Sequence, residues 1–144
     1  MKKIICLVVV GLMVAGVAIA AKKMAITEKN LSGLKGTWAG MLSFGIQEVA
    51  TAPAKLEILN DTVPVKAKLT IENFPQQLAR TWGIETPGGK ATAESEDGVI
   101  TTQGTLMWTG PAKNFFEVTL LDNNKLSLWY FFRGMKGDAT LKKK

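Results

Sequence analysis

The residue types best suited to chemistry in this chain are carboxylates. Glu94, Glu96 and Asp97 flank Ser95 and run into Gly98 in the stretch ESEDG. A hard cation such as Ca²⁺ takes oxygen ligands alternating around a turn. The full spacing of a Ca²⁺ loop is missing here, so the simpler expectation is a solvated loop without a metal. Glu57, Glu72 and Glu117 fall opposite apolar neighbours in strand-like segments. A glycosidase needs two carboxyls at a set separation, and no spacing here builds that pair. Outward charges paired with lysines on adjacent strands account for them. The chain has no histidine, and its single cysteine is Cys6. Those absences remove the Ser-His-Asp triad, the thiolate nucleophile and the His/Cys zinc site. No catalytic residue and no cofactor is assigned, and the expectation is a protein that is not an enzyme.

The aromatic residues are a second resource. Trp38, Trp82, Trp108 and Trp129 are many for a chain of 144 residues. They could form a surface for a sugar or a lipid, although core packing is the commoner use of tryptophan.

The chain opens with Lys2 and Lys3, followed by 18 uncharged residues, 4–21. Ala18, Ile19 and Ala20 form an A-x-A-like site. This is the pattern of a secretory signal peptide spanning residues 1–20. The alternative is an anchor in the inner membrane, since 18 apolar residues reach the lower limit for crossing a bilayer. Cys6 lies at the start of the apolar run, before its core and not after it, and is not placed for lipid attachment. The expected product is an exported domain, periplasmic or extracellular, without disulfides. It has enough residues to bury a sufficient core.

Formal charge is +6, of which Lys2 and Lys3 supply two and Lys142, Lys143 and Lys144 three. The basic character is therefore terminal. A basic tail can touch an anionic envelope surface, or keep an edge strand soluble. No nucleic-acid motif is present, and nucleic acid is not expected as a partner.

Strand signals dominate after residue 33. Val65, Ala67, Leu69 and Ile71 alternate with Lys66, Lys68, Thr70 and Glu72, and Ala54, Leu56 and Ile58 alternate with Lys55 and Glu57. A period of two marks half-buried antiparallel strands. The turn residues of NDTVP join these two into a hairpin. A second hairpin spans residues 115–132 around Asp122, Asn123 and Asn124. Its latter strand, with Leu126, Leu128, Tyr130 and Phe132 against Trp129 and Phe131, is apolar on both faces. Gly137, Ala139 and Leu141 share one side of a closing strand. Residues 21–33 read as a polar linker or a short helix, residues 86–98 as a loop or ragged hairpin, and LARTWGIE as a strand around Trp82. Counting strands at this spacing predicts an all-β domain over residues 34–144. It would be a single antiparallel barrel of about eight strands, or a barrel-like sandwich, preceded by a signal-peptide helix.

One stretch, LKGTWAG, carries more information than composition. Gly36 and Gly40 bracket Trp38 on the same face of a strand. Small neighbours leave room for the indole and allow the bend that barrel closure requires. Gly36-Thr37-Trp38 resembles the first-strand Gly-x-Trp motif of the lipocalin and avidin-like (calycin) barrels. The L-x-G-x-W-x-G pattern also resembles small exported bacterial β domains. The resemblance implies that Arg133, late in the chain, packs over Trp38. It also implies a small hydrophobic or amphipathic ligand in the barrel, with Phe116, Leu128, Tyr130 and Phe132 as the candidate wall. Recognisable biotin-ring ligands and cysteine pairs are absent. The alternative is a barrel filled with side chains, serving as a structural or protein-interaction module of the cell envelope. Small inner residues such as Ala54, Ala67 and Ala139 favour a cavity, whereas Phe116 and Phe132 favour a filled core. The leader pattern predicts a mature N-terminus at Ala21, which intact-mass measurement of the exported form checks. A full-length mass in the membrane fraction would establish the anchor instead.

Overall fold

Alternation of side chains organises the molecule. The computed structural model describes residues 22–45, 50–74, 89–110, 115–122, 124–132 and 134–144. Eight strands follow in chain order: β1 (Gly36–Phe44), β2 (Ala50–Ile58), β3 (Val65–Ile71), β4 (Ala91–Ile100), β5 (Leu106–Thr109), β6 (Phe115–Asp122), β7 (Lys125–Phe132) and β8 (Met135–Lys143). Each pairs antiparallel with the next, and β8 pairs back onto β1, so the sheet closes into one barrel with no crossovers. The inner face of β1 carries Trp38, Leu42 and Phe44, and that of β7 carries Leu126, Leu128 and Tyr130, all buried. Closure satisfies the backbone groups that an edge strand would expose.

Among the described residues, the only helical segments lie before β1. They are a 3₁₀ turn (Glu28–Asn30) and α1 (Leu31–Leu34). The segment is bonded into the barrel. Met24 N–H donates to the Leu120 carbonyl and Ile26 N–H to that of Gly104, each at 2.8 Å. Ile26, Leu31 and Leu34 are buried and cap one end of the barrel, here called the closed end. Of the two expectations for this stretch, a polar linker or a short helix, the structure has the short helix; its apolar signal is too sparse for the sequence to show that it packs into the barrel end. No helix among the described residues is long and apolar enough to cross a membrane. Residues 4–21, the expected signal or anchor, lie outside the described residues.

Residues 91–98, expected in a loop, belong to strand β4. Ala91, Ala93 and Ser95 pair with Ile71, Leu69 and Ala67 of β3. Outward, Glu94 meets Lys68 at 2.7 Å and Glu96 meets Lys66 at 3.3 Å. The inner positions are too small to register as a hydrophobic stripe, so the period of two is hidden in the sequence. The hydrogen bond and charge of Glu94 raise the Lys68 pKa. At the β6–β7 turn, Asn124 N–H donates to Asp122 Oδ1 at 2.8 Å. That bond, with Lys125 beside it, holds the Asp122 carboxyl below its ordinary range.

Two tryptophans fill the closed half. Trp108 reaches from β5 across β4, and its Nε1–H donates to the Val65 carbonyl of β3 at 2.8 Å. The indole passes over Gly98, where a Cβ would collide with Nε1 and with the Val65 oxygen. Phe116 stacks on Trp108 at 5.0 Å between ring centroids. Gly98→Ala should therefore cost about 1–3 kcal/mol as an overpacking change. Urea unfolding followed by tryptophan fluorescence tests this, and an unchanged midpoint would mean that the crossing is not tight.

Candidate functional site

The barrel interior is filled unevenly. At the closed end Trp38, Trp108, Phe116, Leu56 and Ile58 are each at most 2% exposed. At the other end, the mouth, Phe44 and Phe74 are buried too, but the inner positions of β4 are small. Ala91 and Ala93 stand opposite Ile71 and Leu69 across the β3–β4 ladder. Tyr130 and Phe132 of β7 face them from the other side. Together with Thr92 these residues line a cleft of about 220 Å³. The Tyr130 and Phe132 rings lie nearly parallel, 8° apart, with centroids at 6.4 Å. Phe44 and Phe74 pack together at 5.5 Å at the same end of the barrel. The inward side chains of the described lining are apolar apart from the Tyr130 phenol, so they offer mainly van der Waals contact.

Of the expected wall residues, the structure brings Tyr130 and Phe132 to the cleft. Phe116 and Leu128 lie deeper, fully buried in the packed half. Leu69, Ile71, Ala91 and Ala93 complete the wall. Leu69 and Ile71 are visible in the sequence as an inward stripe, whereas Ala91 and Ala93 are hidden because their strand reads as a loop. Ala54, Ala67 and Ala139 are buried inside the barrel without lining the cleft. Trp82 lies outside the described residues.

The carboxylates form no metal-binding group among the described residues. Glu57 pairs with Lys55 at 3.3 Å and Glu72 with Lys90 at 3.1 Å. Glu117 instead accepts a hydrogen bond from the Thr105 hydroxyl, which is itself bonded to that of Thr101. The outer face of β6 and β7 carries an aromatic cluster. Phe115 lies 5.1 Å from Trp129 and 5.3 Å from Phe131, and Lys136 Nζ stands 6.0 Å from the Trp129 ring.

The bracketed tryptophan has a geometric explanation. Gly36 has φ +126°, a conformation that side-chain-bearing residues rarely adopt, where the chain turns from α1 into β1. A Cβ on Gly40 would collide with the Thr140 carbonyl of β8. Between them Trp38 is fully buried, and its Nε1–H donates to the Leu34 carbonyl at 2.7 Å. The cation over its ring is Lys143, with Nζ 5.4 Å from the centroid and donating to the Gly33 carbonyl at 2.6 Å. Arg133, expected in that role, lies outside the described residues. Lys143 stands over the indole because β8 neighbours β1 and Lys143 is the register partner of Trp38.

Compared with family models, with curated proteins and with solved structures, the chain has no significant match.

Trp38→Ala should destabilise the barrel by about 3–5 kcal/mol as a large core truncation. Lys143→Ala should cost less, with a coupling of about 0.5–2 kcal/mol to Trp38. A double-mutant cycle in urea checks both, and additive losses would show that the lysine and the indole do not interact.

Proposed function

We propose that this is an exported, non-enzymatic β-barrel of calycin type that holds a small hydrophobic or amphipathic ligand in its mouth. The observation that carries the reading is the contrast between the two halves of the interior. Large side chains fill the closed half, whereas Ala91 and Ala93 keep room opposite Tyr130 and Phe132. The Gly-x-Trp first strand and the eight-stranded closed barrel support it. A barrel of this strand number has room for packed side chains or one small ligand.

Size narrows the ligand. A cleft of about 220 Å³ lies between the ~150 Å³ of a cavity that takes benzene and the roughly 300 Å³ where drug-sized sites begin. It suits a single ring or a short alkyl chain. The Tyr130 phenol would orient a polar end.

A second reading rests on the outer cluster of Phe115, Trp129 and Phe131. Here the barrel wall is a contact face for another protein of the envelope, since partly exposed aromatics are the side chains interfaces favour.

Titration with a series of n-alkanols separates the two. Affinity should rise about fourfold per methylene, from roughly 0.8 kcal/mol each, and level off once the cleft is full. Ala93→Leu, which fills the cleft, should abolish binding while leaving the far-UV circular dichroism unchanged. If no alkanol or single-ring compound binds the wild type, or if Ala93→Leu binds equally well, the cleft is not a ligand site and the contact-face reading stands.

A further inference from the structure

Lysines on the barrel wall and lysines at its closed end are treated differently. On the wall, Lys55, Lys66, Lys68 and Lys90 each meet a carboxylate within 3.3 Å. At the closed end, Lys22, Lys23, Lys29, Lys35, Lys142 and Lys144 are exposed and have no ion-pair partner among the described residues. They come from separate parts of the chain, and the topology gathers them. Lys22 and Lys23 precede the Met24 bridge to Leu120, and Lys29 lies in the 3₁₀ turn. Lys35 leads into β1, while Lys142 and Lys144 finish β8 beside it. Of the acids at this end, Asp122 is taken up by Lys125 at 3.2 Å. Among the described residues at this end, Glu28, Asp61 and Asp97 remain without an ion-pair partner to oppose the cations. Lys142 also stands directly opposite Lys125 in the β7–β8 register. Facing like charges cost stability, so the arrangement works against the fold.

The chain enters the barrel at this same end. Immediately before Lys22 come the 18 uncharged residues 4–21. A lysine cluster next to an apolar segment of that length is the combination that binds an anionic bilayer. We propose that the closed end is a docking face for the anionic lipid headgroups of a membrane, and that it turns the mouth away from the bilayer. This proposal is independent of whether the cleft takes a ligand, and it rests on residues 4–21 staying attached as the membrane anchor instead of being removed as a signal peptide. Each lysine near such a surface adds roughly fivefold to binding. Attraction fades within about 8 Å at physiological salt, so lysines at the opposite end would not share in it.

Lysine acetylation read by peptide mass spectrometry tests this on the full chain. Acetic anhydride is neutral, so vesicle charge does not repel it. The chain is incorporated into vesicles of phosphatidylcholine alone or with about one third phosphatidylglycerol. Lys29, Lys35 and Lys142 should acetylate about threefold or more slowly on the anionic vesicles, and recover at about 0.5 M salt. Lys90 and Lys136, exposed at the mouth, should not change. The triple variant Lys29→Glu/Lys35→Glu/Lys142→Glu changes only exposed side chains; in it, Lys144 should acetylate at one rate on both vesicles. Equal rates on both lipids, or equal protection of Lys90 and Lys136, would overturn the proposal. So would the same protection by soluble polyphosphate on neutral vesicles, which would mark the face as a polyanion site.

Discussion

The barrel depends on one seam, the approach of β8 to β1. A meander of eight strands has two free edges until its first and last strands meet, and here they meet around Trp38. Gly40 lets the Thr140 carbonyl come against the β1 backbone, which no side chain would permit. Trp38 then ties the seam to the cap through the Leu34 carbonyl, and Lys143, on the same face, ties it through the Gly33 carbonyl. The helical cap, the first strand and the last strand are thereby fastened at one place. Without that closure the inner residues of β1 and β8 would have no opposing wall.

Fastening one end has a consequence for the other. Ile26, Leu31 and Leu34 close off the end that holds the seam, and the two buried tryptophans fill the space behind them. Each indole N–H finds a backbone carbonyl, so neither leaves an unsatisfied donor in the core. Phe44 and Phe74 are buried at the mouth as well, but there the small inner residues Ala91 and Ala93 of β4 leave a cleft facing Tyr130 and Phe132. The charge distribution follows the same axis, since unpaired cations gather around the cap and four of the wall lysines are paired with carboxylates.

Legibility in the sequence tracked the size of the inward side chains. Val65, Ala67, Leu69 and Ile71 announce β3 because large apolar residues alternate with lysine and threonine. β4 has the same period, but its inner positions are Ala91, Ala93 and Ser95, which do not differ enough in hydropathy from their neighbours. The part of the cleft wall that β4 supplies was hidden for that reason. The cap was hidden too, because three apolar residues spread over residues 26–34 set up no periodicity in so short a segment.

Composition and spacing by themselves determined the all-β character, the antiparallel hairpins and the structural place of Trp38, but not which face of β7 turns inward, because both of its faces are apolar. These are local matters, settled by which side chains alternate and which residues favour turns. Which strand closes on β1, which cation covers the indole and which positions empty into a cleft were decided only by the tertiary structure. Lys143 and Trp38 lie at opposite ends of the chain, and a period of two says nothing about partners so far apart. Ring closure brings them together, because the last strand of a meander has only the first left to pair with.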